Sequence, residues 1–273
     1  MTVTTNGIRL HIEDEGSGSP TLVFLHYWGG SSRTWRYVTA ALVADFRTIA
    51  VDQRGWGSSD RPETGYALAD LAADAQGVIE ALELDRYVLV GHSMGGKVAQ
   101  LVASKRPSGL AGLVLVAPSP PSPLGLPLEV RQGMVGAYDS RESIVATVDQ
   151  VLAGNALATG DLEIVIADSL QGSPGAKAAW PLATSQEDIT YDVGRINVPT
   201  IVISGTDDRV DPPAVLEREL LPRIRHAKLH LLQGVGHLAP FEAPNDVANL
   251  IRGFVTALVG NHPPADSSNV KER

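Results

Sequence analysis

The stretch Val88-Leu89-Val90-Gly91-His92-Ser93-Met94-Gly95-Gly96 decides how the chain is read. The apolar residues from Tyr87 to Val90 predict a buried strand, and the small and apolar run from Met94 to Ala103 predicts a helix. Between them Gly-x-Ser-x-Gly puts Ser93 at the tip of a sharp turn. A serine hydroxyl is a weak nucleophile and must stand clear of the backbone to meet both a base and a carbonyl carbon. A strand-to-helix turn achieves this through a strained backbone at the serine. Gly91 and Gly95 stand where the chain crosses itself and a Cβ would collide. The helix that follows aims its free N–H groups and the positive end of its dipole at an oxyanion formed beside Ser93. A plain strand-to-helix turn in which Ser93 only caps the helix has the same five letters, so the rest of the chain has to decide.

Outward from this turn, strands and helices alternate. Thr21–Leu25 predicts a strand, 33–43 a helix with Ser32 as its cap, and 47–51 a strand. Leu68, Leu71, Ala75, Val78, Ile79 and Leu82 recur at helical spacing over 67–82, and Leu110–Val116 is a further strand. Such alternation specifies a mostly parallel sheet with helices on both faces. Ahead of it, 3–5 and 8–12 flank Asn6-Gly7, a hairpin signal, with a polar loop over 13–20. The pattern changes at five prolines, at positions 118, 120, 121, 123 and 127. Helices are expected over 128–138, 141–152, 161–170 and 176–183, with 164–166 readable as either helix or strand. Strands return at 198–204 and 228–232, and 243–258 is a closing helix. The expected organisation is a core of 1–118 and 191–260, a helical cap of 119–190, and a disordered tail of 261–273.

Composition narrows the function. The 273 residues hold 22 Lys and Arg against 31 Asp and Glu, a net charge of −9, with no basic cluster. Nucleic acid and an anionic membrane surface are therefore not expected partners. With no cysteine, thiolate metal sites, disulfides and cysteine nucleophiles are excluded. The first residues lack a basic start and an apolar run, and no apolar stretch reaches membrane-spanning length, so a soluble cytoplasmic protein is expected.

A nucleophilic serine needs a base, and the base needs an orienting acid. Of seven histidines, His237 follows the strand at 228–232 in Gly234-Val235-Gly236-His237-Leu238, a loop able to carry an imidazole over the sheet edge. His26 and His92 sit beside glycine-rich or nucleophile turns, where a ring serves packing or a local hydrogen bond. Sites in open α/β sheets lie at the carboxyl ends of strands. After the preceding strand, Gly205-Thr206-Asp207-Asp208-Arg209-Val210-Asp211-Pro212 offers three carboxylates, Asp207, Asp208 and Asp211. Each is equally suited to turn or cap chemistry.

On these residues the chain resembles the α/β-hydrolase fold family over nearly its whole length. The order Ser93, Asp, His237 is the family's triad order. The resemblance implies an α/β fold with a mostly parallel eight-stranded sheet, helices on both faces and an inserted helical cap. It nominates Asp208, fourth in its Gly-x-x-Asp run, as the acid. It also nominates the amides of Met94 and Trp28 as the oxyanion hole, although Tyr27 stands where relatives carry glycine. Asp52-Gln53-Arg54-Gly55-Trp56-Gly57-Ser58-Ser59 matches the family's structural turn near the oxyanion loop. A serine at position 93 points away from the dehalogenases and epoxide hydrolases of this scaffold, which use aspartate. The expected function is a serine esterase or lactonase without cofactor or metal. Its partner is a small-molecule ester or lactone, with Tyr27, Trp180 and Leu238 as substrate contacts, and the protein is a monomer or homodimer. Rival readings are a cofactor-free perhydrolase or haloperoxidase, a carbon–carbon bond hydrolase, and a small-molecule receptor on the same scaffold. Several perhydrolase-like relatives carry proline after the oxyanion Trp or Phe, where this chain has Gly29. The cap's basic groups, Arg131, Arg141 and Lys177, are expected on solvated faces, which disfavours acidic substrates. The rate should follow a histidine titrating at about pH 6 to 7.

Overall fold

One eight-stranded sheet carries the chain, in the order β1-β2-β4-β3-β5-β6-β7-β8. This computed structural model describes residues 1–260; the tail expected to be disordered lies outside the described residues. The strands are β1 (Thr2–Thr5), β2 (Ile8–Glu15), β3 (Thr21–Leu25), β4 (Thr48–Val51), β5 (Tyr87–His92), β6 (Leu110–Val116), β7 (Thr200–Gly205) and β8 (Ala227–Leu232). The β1–β2 and β2–β4 pairs are antiparallel, and all others are parallel. Side chains along β5 alternate between faces: Tyr87 and Leu89 join one apolar cluster, and Val88 and Val90 join the other. Both faces are covered, so β5 is buried throughout and apolar up to His92, as a central parallel strand requires.

The helices are α1 (Arg36–Leu42), α2 (Leu68–Ala81), α3 (Met94–Ser104), α4 (Leu128–Val135), α5 (Arg141–Thr147), α6 (Thr159–Gln171), α7 (Pro174–Leu182), α8 (Thr190–Val193), α9 (Pro213–Glu219), α10 (Ala239–Glu242) and α11 (Pro244–Gly260). Several bounds differ from the sequence reading, for physical reasons. β2 runs on through Glu15, where a loop was expected, because its second half pairs with β4 and Asp14 is held by Arg47. The expected helix over 33–43 begins as a 3-10 turn, Ser32–Trp35, and Ser31 rather than Ser32 supplies the cap; the Ser32 amide goes to Asp52 instead. β7 starts only after Pro199, which has no N–H for the ladder. The ambiguous 164–166 lies inside α6, with Val165 and Ile166 buried. Helix α9 was not anticipated; proline at its first turn starts it.

From β6 to β7 the chain forms helices and turns alone. This segment begins and ends side by side over α3: Leu124 N–H donates to Ser185 O at 2.9 Å, and Ile189 N–H to Pro121 O at 2.9 Å. Beneath this crossing lies Lys97, fully buried, whose ammonium donates to Ser122 O at 3.0 Å and Ser185 O at 3.2 Å. Burial pushes the amine down to about 8, against the pull of Asp211, Glu187 and Asp188. Lys97→Met leaves both carbonyls without this donor and should cost about 1–3 kcal/mol. The check is a lowered denaturant midpoint at unchanged m-value; a wild-type midpoint would mean that Lys97 is not the tether.

Candidate active site

Ser93 follows β5 directly and opens α3 with φ 53° and ψ −114°, a region non-glycine residues avoid. Three backbone hydrogen bonds hold it there. Its N–H donates to Val116 O at 3.1 Å, and its carbonyl accepts from Lys97 and Ser119, each at 3.1 Å. The glycines do what the turn demands. A Cβ on Gly95 would lie 2.5 Å from Leu25 O, and one on Gly91 would run into the Gly95 carbonyl. The close approach of Gly95 sets the end of β3, and the loop after it, against the start of α3.

The loops after β7 and β8 bring Asp208 and His237 together. His237 Nδ1 lies 2.9 Å from Asp208 Oδ2 and 3.1 Å from Oδ1, and both side chains are buried. A carboxylate only accepts, so Nδ1 carries the proton and Nε2 keeps its lone pair; Nε2 has no partner among the described residues. Asp208 also accepts from the amides of Val210 (2.8 Å) and Asp211 (3.0 Å). Burial works to raise the Asp208 carboxyl, but the attraction of His237 and these hydrogen bonds hold it below the usual carboxylate range. Burial works to lower the His237 imidazole, and Asp208, Asp211 and Glu242 together outweigh it, leaving it above the ordinary histidine value. Asp207 is exposed and faces Thr206, away from the ring.

The loop after β3 is oriented peptide by peptide. His26 Nε2 receives the Gln53 N–H at 3.0 Å, so its proton sits on Nδ1 and is donated to Tyr27 O at 2.7 Å. Gly30 N–H donates to the same carbonyl at 3.1 Å. In a trans peptide the N–H points opposite the C=O, so pinning Tyr27 O turns the Trp28 N–H away from it. Tyr138 donates to Trp28 O at 2.9 Å, and Ser169 to Gly29 O at 3.0 Å. The Trp28 and Met94 amides donate to no acceptor among the described residues. Gly29 has φ +101°, and a Cβ there would enter the Tyr138 ring. Asp52, from the turn that follows β4, accepts from Ser32 N–H (2.6 Å) and Ser58 N–H (2.8 Å), bracing this loop from behind.

Ser93, His237, Tyr27, Trp28 and Trp180 line one cavity of about 840 Å³ between the sheet ends and the helical segment. The Ser93 hydroxyl has no hydrogen-bond partner among the described residues. Leu238, expected as a substrate contact, is not in the wall: it is fully buried in the core below. Arg131, Arg141 and Lys177 are all absent from the wall as well. They bind backbone carbonyls (Arg131, Lys177) or Glu163 (Arg141). The charged residues that do reach the cavity come from the segment after β7, which the cap-based reading did not consider. Arg209 donates to Ala153 O at 3.1 Å, Arg218 pairs with Glu219, and Asp211 is buried.

Two residues support the histidine loop: His92, for which packing or a local hydrogen bond was expected and which bonds a distant residue instead, and Glu242, which the sequence reading missed. His92 Nε2 donates to His237 O at 2.7 Å, and burial together with His237 pushes this ring down to about 3, so it stays neutral. The Glu242 carboxylate accepts the amides of Gly154 (2.8 Å), Asn155 (3.2 Å), Gly236 (3.1 Å) and Leu238 (3.2 Å), joining the histidine loop to the segment after α5. No sequence signal marks Glu242, because its partners are backbone amides from distant positions.

Comparison with known proteins agrees with this architecture. A non-heme chloroperoxidase of Streptomyces lividans is 34% identical over 262 residues, covering 86% of this chain and 92% of that protein. The thermophilic esterase from Thermogutta terrifontis superposes with a TM-score of 0.81 at 26% identity, covering 94% of this chain and 98% of that one. An N-acyl homoserine lactone degrading enzyme does so with a TM-score of 0.81 at 27% identity, covering 93% and 100%. The alpha/beta hydrolase family matches residues 22–250. With the sheet order, the turn at Ser93 and a family match across most of its length, the chain belongs to the alpha/beta hydrolase family.

Proposed function

We propose that the protein is a serine hydrolase of carboxylic esters and lactones. The observation that carries this reading is the His237 ring, locked through Nδ1 to Asp208, with Nε2 free on the cavity that Ser93 also lines. Ser93 Oγ attacks the acyl carbon while His237 Nε2 takes its proton. The negative charge forming on the carbonyl oxygen is met by the Met94 and Trp28 amides, which have no other acceptor among the described residues. The tetrahedral intermediate collapses, the acyl–oxygen bond breaks, and the imidazolium returns its proton to the leaving alkoxide. Water, deprotonated by the same nitrogen, then attacks the acyl-serine and releases the acid. Asp208 holds the tautomer and stabilises the imidazolium. The esterase and lactone-degrading structural relatives support this substrate class.

A second reading, in which hydrogen peroxide replaces water in the last step to give a peracid, is favoured by the chloroperoxidase relative. Gly29 speaks against it. Proline is the residue of several perhydrolase-like relatives at this position, and its φ near −65° is incompatible with the +101° found here. The loop therefore takes a path that proline forbids.

Three outcomes test the proposal. Hydrolysis of p-nitrophenyl acetate or butyrate should be readily measured, and Ser93→Ala should lower kcat by roughly a thousandfold or more with the fold intact. A folded alanine variant with near-normal turnover would remove Ser93 from the chemistry, and a wild type that binds esters without turnover would favour a receptor. Asp208→Asn should lower kcat by at least about a hundredfold, since an amide no longer enforces the tautomer, whereas Asp207→Asn should change it less than about threefold. The reverse ranking would move the acid to Asp207. Finally, kcat/KM should be lost as pH falls through the His237 pKa, because an imidazolium cannot accept the serine proton. The midpoint should lie above the ordinary histidine value of about 6.5 and should drop in Asp208→Asn. A midpoint below that value in the wild type would contradict the Asp208–His237 coupling.

A further inference from the structure

The segment that supplies Asp208 supplies a second carboxyl three residues on. Asp211 is 2% exposed and lines the same cavity as Ser93 and His237. Its amide is committed to Asp208 Oδ1 at 3.0 Å. Its side chain is committed to nothing: among the described residues the carboxyl makes no hydrogen bond. Its oxygens are not fully enclosed, and the residue stands in the cavity wall. The orienting role toward His237 is already filled, because Asp208 holds Nδ1.

The groups around Asp211 limit what it can bind. Val210 and Val215 form the apolar wall beside it. The charges facing it are Asp208 and His237 from the two sheet-end loops and Lys97 from α3, and the Lys97 ammonium is occupied by Ser122 O and Ser185 O. Burial, reinforced by the Asp208 carboxylate and opposed by His237 and Lys97, pushes the Asp211 carboxyl up to about 7. Near neutral pH both its acid and its anion are therefore populated. A buried polar group without a partner is costly, and such groups are retained where something else completes them. Beside Asp211 a substrate carboxylate is disfavoured by Asp208 and by ionised Asp211, the wall's Arg209 and Arg218 being engaged by Ala153 O and Glu219, and a substrate cation is disfavoured by Lys97 and by the imidazolium that forms during turnover. A hydroxyl fits both states, accepting from the acid and donating to the anion.

We propose that Asp211 is a specificity-determining residue that hydrogen-bonds a hydroxyl group on the substrate, so that the preferred esters or lactones carry a hydroxyl within a few atoms of the scissile carbonyl. This rests on the serine-hydrolase reading of the cavity. A site built to hydrogen-bond a substrate hydroxyl discriminates strongly against the analogue that lacks it. The experiment compares kcat/KM for p-nitrophenyl butyrate with that for its 2-hydroxy and 3-hydroxy analogues, in the wild type, Asp211→Val and Asp211→Asn. For at least one isomer, the wild-type ratio of hydroxylated to plain ester should exceed one. That ratio should fall at least fivefold in Asp211→Val, and less in Asp211→Asn, which keeps a donor and an acceptor. A fall of less than fivefold in Asp211→Val overturns the inference, including the case where all esters slow together because Asp211 acts through His237. A wild-type ratio at or below one for both isomers overturns it without any variant. Failure to hydrolyse any of the three esters would instead overturn the serine-hydrolase reading itself, and this inference with it.

Discussion

The rest of the structure depends on one strained residue. Ser93 at positive φ is a conformation costing about 1–3 kcal/mol, which persists only where its surroundings over-determine it. Here the surroundings are β6, which receives its N–H, and the first turn of α3 together with Ser119, which bind its carbonyl. Gly91 and Gly95 then allow the crossing that brings the end of β3 to the same spot. The ends of β3, β5 and β6 meet at this one turn. Their carboxyl ends, with those of β7 and β8, deliver every group invoked in the proposed reaction.

Around this frame, backbone amides and carbonyls do most of the orienting. Tyr27 O, Trp28 O and Gly29 O are each bound, by His26 and Gly30, Tyr138, and Ser169 respectively. With those carbonyls fixed, the Trp28 N–H is left without an acceptor among the described residues. Glu242 performs the matching service for the histidine loop with four amides on one carboxylate. Charges buried for these purposes are matched by fixed dipoles rather than by mobile counter-ions, so they need little reorganisation when a further charge develops nearby.

The parts of the fold legible in the sequence are those written in periodicity. The strands from β3 to β6, α2 and α3 are uninterrupted apolar or helical patterns, and the strand-turn-helix at Ser93 needs only nearest neighbours to be recognised. The residues alone left Asp207, Asp208 and Asp211 open as partners of His237, and only the resemblance to the family's Gly-x-x-Asp run singled out Asp208. What was not legible is long-range and backbone-mediated. Nothing near Leu238 distinguishes a residue under the cavity from one in its wall, because that depends on how α10 tucks the chain back into the core. Arg209 and Arg218 lie outside 119–190 and reach the cavity because α9, a helix opened by proline, helps close its wall.

The His237 amide donates to Leu152 O at 2.7 Å, where the chain leaves α5 through a π-helical turn, Val148–Leu152. The His237 backbone is thus anchored on one side to the helical segment that roofs the cavity and on the other, through His92, to β5. If the roof loosens on heating before the sheet does, the residue that carries the ring loses one of these two backbone anchors while the sheet stays intact. Heat inactivation would then precede global unfolding, and a ligand that fills the cavity would protect turnover at temperatures where it adds little to the melting of the sheet.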